Sequence, residues 1–194
     1  MANVLIACEF SGVLRDLFAD LGHYVRSYDF LPGLGEHISL HVQGDVLPQL
    51  RDPFWDFILA FPPCTFLCNS GVRWLHGDSF RIRQMYKACD FFNAILASPA
   101  KYIVVENPVQ HRYARNRIRK YDQIIHPWQH GHGETKQTCL WLKNLPLLLP
   151  SKIVKGRVPR IHFMPPSADR SMLRSATLPG VGSAMVSQWG RLCV

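Results

Sequence analysis

No apolar run in the 194-residue chain approaches the roughly 18 residues that cross a bilayer. Met1-Ala2-Asn3-Val4 has neither the basic head nor the long apolar stretch of a secretory signal. The expected place is therefore the cytoplasm, with no membrane partner. Cysteines are few: Cys8, Cys64, Cys68, Cys89, Cys139 and Cys193 are too scattered for a secreted disulfide framework. Internal repeats, low-complexity tracts and linkers are all missing, so one domain over residues 1–194 is expected, at roughly 150 residues per domain. Charged residues are only 19% against 47% hydrophobic, which rules out extended disorder. Acidic residues are the scarcer sign. Fourteen Asp and Glu against 22 Lys and Arg leave a net charge of +8. That excess favours a polyanionic partner, nucleic acid first, although many soluble proteins share it.

What is present is an alternation of short apolar runs with amphipathic stretches. Val4 to Cys8 reads as a buried strand, followed by a turn at Glu9-Phe10-Ser11-Gly12 and a helix through Leu21. The helix's apolar face is Val13, Leu14, Leu17, Phe18 and Leu21, at helical spacing. Tyr24 to Tyr28, a short element at Val42, Phe57 to Ala60, and Tyr102 to Val105 read as further strands, with a helix over 79–98. Ile124-Ile125 and Cys139 to Leu142 read as late strands, 143–178 as loop with short elements, and Leu178 to Trp189 as a closing helix. The class is α/β, a mostly parallel sheet with helices on both faces. Ligands of such sheets sit beyond the carboxyl ends of the strands. Here those ends carry Glu9 to Gly12, Asp29, Pro62 to Cys64, and Glu106-Asn107.

Each of these has an ordinary reading beside a chemical one. Ser11 and Gly12 open a helix whose free N–H groups would suit a carboxylate or phosphate, or form a bland turn. Asp29 and Asp45 suit ribose and base contacts, or are turn aspartates. Cys64, behind Pro62-Pro63, is held rigidly at the mouth of the sheet, where a thiolate could attack; an inert core cysteine is the commoner case. Cys68 adds a Cys-x₃-Cys pair, weak as a metal motif without a second pair. Glu106 is either a protonated donor beside the cysteine or a surface glutamate. His126, His130 and His132 do not match a zinc spacing, so no metal is expected. Arg112, Arg115 and Arg119 recur at helical spacing and form a candidate phosphate-facing patch or a solvated face.

In this order, Phe10-Ser11-Gly12, Asp29, Gly44-Asp45-Val46, Pro62-Pro63-Cys64 and Glu106-Asn107 resemble the motifs of the cytosine-5 DNA methyltransferase family. The segment Gly131 to Thr138 is similar to the family's Gly-x-Pro-Gln-x-Arg-x-Arg in degenerate form, with Lys136 and Thr138 at the arginines. Pro179 to Trp189, with Ser183, is similar to the motif that returns to the cofactor pocket. The resemblance implies a Rossmann-like fold binding S-adenosylmethionine. Phe10, Ser11, Gly12, Asp29, Asp45, Pro62 and Ser183 would then hold the cofactor, with Cys64 as nucleophile, Glu106 as acid and Lys136 positioning the base. Enzymes that methylate exocyclic amines place Asp, Asn or Ser before Pro-Pro and an aromatic after it; Phe61 and Cys64 fit neither place. Only residues 141–178 stand where the family carries a large recognition region, which implies lax sequence choice and a small, phage-type enzyme. The substrate could instead be RNA or a free cytosine nucleotide, the chain could be an inactive nucleic-acid-binding relative, and the transferred group could be other than methyl.

Overall fold

The computed structural model describes residues 1–193. Its strands are β1 (Asn3–Ala7), β2 (Tyr24–Asp29), β3 (His41–Gln43), β4 (Phe57–Ala60), β5 (Tyr102–Asn107), β6 (Gln123–Ile125) and β7 (Thr138–Lys143). Its helices are α1 (Val13–Asp20), α2 (Ser79–Leu96), α3 (Arg112–Arg115), α4 (Arg170–Ser175) and α5 (Pro179–Trp189). The strands form one sheet in the order β3-β2-β1-β4-β5-β7-β6. From β3 to β5 every pairing is parallel, and β7 runs antiparallel to both β5 and β6. That is a Rossmann-like α/β sheet, parallel over five strands and closed by an antiparallel edge.

The central strands are apolar on both faces because both are covered. Successive side chains on β1 alternate between the two layers. Val4 and Ile6 pack with Leu14 and Phe18 of α1 and with Met185 and Trp189 of α5. Leu5 and Ala7 join the opposite layer with Met85, Cys89, Phe92 and Ile95 of α2, together with Trp141 of β7. Among the described residues no helix is long and apolar enough to cross a membrane.

Two local expectations need correction. Leu21 is 55% exposed, because α1 ends at Asp20 and the chain turns away before this side chain can reach the core. Arg112, Arg115 and Arg119 do not share one helical face, since α3 stops at Arg115. Arg119 lies beyond it, paired with Asp122 at 2.8 Å and donating to the Leu142 carbonyl at 2.8 Å. These bonds redirect the chain into β6 instead of extending the helix.

Candidate functional site

The chain leaves β4 through Phe61, Pro62 and Pro63 into a single turn, in which the Cys64 carbonyl accepts from Leu67 N–H at 2.9 Å and Cys68 N–H at 3.0 Å. The prolines fix φ on the way in, and residues at the end of β5 and just beyond it grip the turn from the side. Asn107 Nδ2 donates to the Pro62 carbonyl at 2.7 Å. His111 N–H donates to the Leu67 carbonyl at 2.9 Å, and its Nε2 bonds the Phe66 carbonyl at 3.0 Å. His111 Nδ1 accepts from Ala114 N–H at 3.1 Å, which leaves Nε2 as the ring's donor to the Phe66 carbonyl. Asn107 and His111 are each 1% exposed. Sequence reasoning gave neither a role of its own. Asn107→Ala orphans the buried Pro62 carbonyl, which costs about 1–3 kcal/mol. The expected melting temperature falls by about 2–4 °C for each kcal/mol in a chain of this size; an unchanged melt would remove Asn107 from the clamp.

Cys64 and Cys68 stand side by side as free thiols, and Cys68 Sγ meets Ser70 Oγ at 2.9 Å. The hydrogen bond to Cys68, then burial and the nearby Glu106 charge, push the Cys64 thiol up, while Lys136 opposes them. The same bond pulls Cys68 down. As a unit the pair gives up its first proton more readily than a lone thiol, because the remaining S–H donates to the sulfur anion, and it holds the second more tightly.

Glu106, on β5, accepts from the Thr138 hydroxyl of β7. The threonine at the degenerate motif's second arginine position thus donates to the carboxylate. Lys136 Nζ donates to the Arg174 carbonyl at 2.8 Å, at the end of α4. Phe61, Glu106, Lys136, Thr138, Leu178 and Val181 line one narrow cleft. Three motif regions far apart in sequence therefore meet. Ser183 is exposed on α5 and is not among the cleft's lining residues.

The turn after β1 departs from expectation. Glu9, 3% exposed, accepts from Ser11 N–H at 2.8 Å, Gly12 N–H at 3.1 Å and the Ser11 hydroxyl. The donors expected to be free for a ligand are taken by the chain's own carboxylate. Gly12 sits at φ 80°, and a Cβ there would run into the Leu34 carbonyl. The 30–37 segment folds across this turn. Leu34 N–H donates to the Phe10 carbonyl at 2.8 Å, and the buried Arg15 donates to the Leu34 carbonyl. Phe10 is only 5% exposed, so it offers a ligand little of its face, whereas Phe30, next to Asp29, is 73% exposed. Sequence reasoning read Asp29 and passed over its neighbour.

Asp29 Oδ1 accepts from Leu31 N–H and Asp45 Oδ1 from Leu47 N–H, each at 2.9 Å. Each thereby caps a turn through one oxygen. Both carboxylates lie near Cys8, whose thiol is pushed up to about 12 by burial first, then by Asp29 and Asp45. Cys8 has φ 58°, a left-handed conformation uncommon outside glycine. Its one sequence signal was its place immediately after the first strand.

Arg112 stacks 4.7 Å from the Tyr113 ring centroid and donates to its hydroxyl at 2.7 Å; Arg115 is exposed. His130 Nδ1 meets Ser151 Oγ at 3.1 Å, and His132 Nε2 accepts from Gly180 N–H at 2.8 Å. Among the described residues no group of three or more His, Cys, Asp or Glu side chains is gathered as for a metal.

No protein-family model and no curated protein matches the chain. Its fold is similar to that of the Schizosaccharomyces pombe Dnmt2 methyltransferase, at 15% identity and a TM-score of 0.46 over 84% of this chain and 53% of that one. It is similar to the Entamoeba histolytica methyltransferase EhMeth at 15% identity and a TM-score of 0.47, over 79% of this chain and 58% of that one. Monomeric WbdD is similar at 14% identity and a TM-score of 0.41, over 77% and 38%. The chain spans about half the length of the first two.

Proposed function

We propose that the chain transfers a methyl group from S-adenosylmethionine to carbon 5 of cytosine in nucleic acid, DNA first, through a transient bond to Cys64. The observation that carries this reading is that Glu106 and Lys136 line one cleft while the Cys64 thiol lies close enough to feel the charge of both. The two turn aspartates fit the cofactor. Each keeps Oδ2 for a ribose hydroxyl or an exocyclic amine, and both lie beyond parallel strand ends. Phe30 supplies an aromatic face beside Asp29. The turn at Ser11 and Gly12 fits less well, since Glu9 already fills it, so those residues shape the pocket's wall and do not donate to the ligand.

When bound, the cofactor supplies an electrophilic sulfonium methyl. Cys64 gives its proton to the Cys68 thiolate, and the freed sulfur anion adds to carbon 6 of the base. A proton taken up with the base and shared between Glu106 and ring nitrogen 3 stabilises the electron density that the addition places on the ring. Thr138 holds the carboxyl in place through its hydroxyl. Carbon 5 becomes electron-rich and accepts the methyl. Loss of the carbon 5 proton to a base then expels the Cys64 sulfur as thiolate and restores the ring. Lys136 keeps a positive charge beside the sulfur anion.

Cys68→Ala leaves Cys64 as a lone thiol, buried and facing Glu106. Its proton then comes off at higher pH, so the acidic limb of the rate-pH profile moves upward while Cys68→Ser moves it less. A superimposable profile for Cys68→Ala would remove the relay.

The test of the activity offers labelled cofactor to duplex DNA, single-stranded DNA, RNA and deoxycytidine monophosphate in parallel. Label is expected at cytosine carbon 5 in at least one polynucleotide. Label confined to the free nucleotide would transfer the same chemistry to that substrate, and no label on any of the four overturns the reading.

A further inference from the structure

A second, open groove lies beside the Cys64 turn, lined by Arg73, Trp74, His76, Gly77, Asp78 and Arg81. Trp74 is 55% exposed, and the Arg73 guanidinium lies 4.5 Å from its ring centroid. Arg73 covers one side of the indole, and the exposure leaves room on the other for a second flat group. His76 meets the edge of Tyr113 at 6.0 Å between centroids, and Tyr113 carries Arg112 at 4.7 Å. Arg81 lies 5.2 Å from the Phe66 ring centroid, two residues beyond Cys64. The one acidic lining residue, Asp78, is engaged through Oδ1 in capping α2, where it accepts from Arg81 N–H at 3.1 Å.

We propose that this groove binds an unpaired stretch of polynucleotide next to the target base, with a neighbouring base stacked on Trp74 and phosphates facing Arg73, Arg81 and Arg112. One exposed indole, with the half-buried Phe66 and Tyr113 rings behind it and guanidinium groups interleaved, matches the two parts of a single strand, its π-faced bases and its phosphates. A duplex offers such a groove only phosphates, because its base faces are already stacked on one another. The surface is also mechanically joined to the nucleophile. His111 bonds the Phe66 carbonyl and packs 5.9 Å from the Tyr113 ring, so a strand held here is held at a fixed offset from Cys64. The small size of the 141–178 segment fits this arrangement, in which selection rests on strandedness more than on base sequence.

The proposal rests on the nucleic-acid reading above, and its test is binding without cofactor, so that a failure to methylate and a failure to bind remain separate. Fluorescence anisotropy is measured on short labelled single-stranded DNA, RNA of the same sequence, and the matching DNA duplex. Single strands of either sugar are expected to bind about tenfold or more tighter than the duplex. Trp74→Ala is expected to weaken single-strand binding by about tenfold with the salt dependence unchanged, while Trp74→Phe keeps most of the affinity. Arg73→Gln with Arg112→Gln should instead flatten the salt dependence, by about one unit of log-log slope for each phosphate no longer neutralised. Equal or tighter binding of the duplex, or wild-type affinity in Trp74→Ala, overturns the proposal. So does binding to no polynucleotide.

Discussion

Cys64→Ser lowers methyl incorporation by at least about a thousandfold on every substrate the wild type uses, because losing the nucleophile removes the covalent route altogether. Serine keeps the shape of the turn but not its chemistry. A hydroxyl loses its proton far less readily than a thiol, and Cys68 is too weak a base to take it. The loss should appear in turnover and not in folding. The turn is fixed through main-chain bonds from the Cys64 carbonyl and through Asn107 and His111, none of which involves the sulfur. A melting curve that overlays the wild type therefore accompanies the dead enzyme. The companion result uses a polynucleotide carrying 5-fluorocytosine. After methyl transfer, fluorine cannot leave as a proton does, so the wild type stays covalently attached and Cys64→Ser does not. Incorporation by the serine variant at the wild-type rate would disprove the covalent mechanism.

Gly180→Ala is the other large effect, and it acts on folding. The glycine lies in the first turn of α5, where an added Cβ would run into the His130 carbonyl and stand 2.9 Å from His132 Nε2. The obstacle is main chain, so no side-chain rotation relieves it. Either α5 lifts, or the loop holding His130 and His132 moves and breaks the Gly180 N–H bond to His132. The helix also brings Met185 and Trp189, both fully buried, into the core layer against β1. A cost of about 3 kcal/mol follows, at the upper end for overpacking. At about 2–4 °C per kcal/mol the melting temperature falls by about 6–12 °C. Since Leu178 and Val181 line the cleft that holds Glu106 and Lys136, residual folded protein should also transfer methyl more slowly if the proposed activity holds. His132→Ala removes only the acceptor and should cost less. A melt unchanged in Gly180→Ala would mean that the 130–132 loop is not seated on α5 as described.

The parts of this architecture that sequence reveals are those written in contiguous residues. β1, β4 and β5 are near-continuous apolar runs, and the special residues at their ends mark the mouth of the sheet directly. What stays hidden is written across distance. Asn107 reaches Pro62 and His111 reaches Phe66 over 45 positions each, with no local pattern to announce either bond. Glu134, 1% exposed and bound to Arg160, ties the 143–178 segment to the rest through a partner 26 positions away. The arginine spacing misled for a related reason: Arg119 has the right period for α3, but Asp122 and the Leu142 carbonyl draw it away from the helix. The near-complete burial of Phe10 was hidden too, because proximity to a motif does not reveal that the 30–37 segment folds over it.

The carboxylate of Glu9 plugged into the turn after β1 has a bearing on selectivity inside a cell. Many nucleotide-binding sheets hold a pyrophosphate at that corner, against bare amides at the start of the first helix. Here the corner is already filled from within, so adenosine triphosphate and the dinucleotide coenzymes meet an internal competitor that cannot diffuse away. If S-adenosylmethionine binds here as proposed, the plug would keep diphosphate-bearing adenine compounds from competing with it, without any added gate.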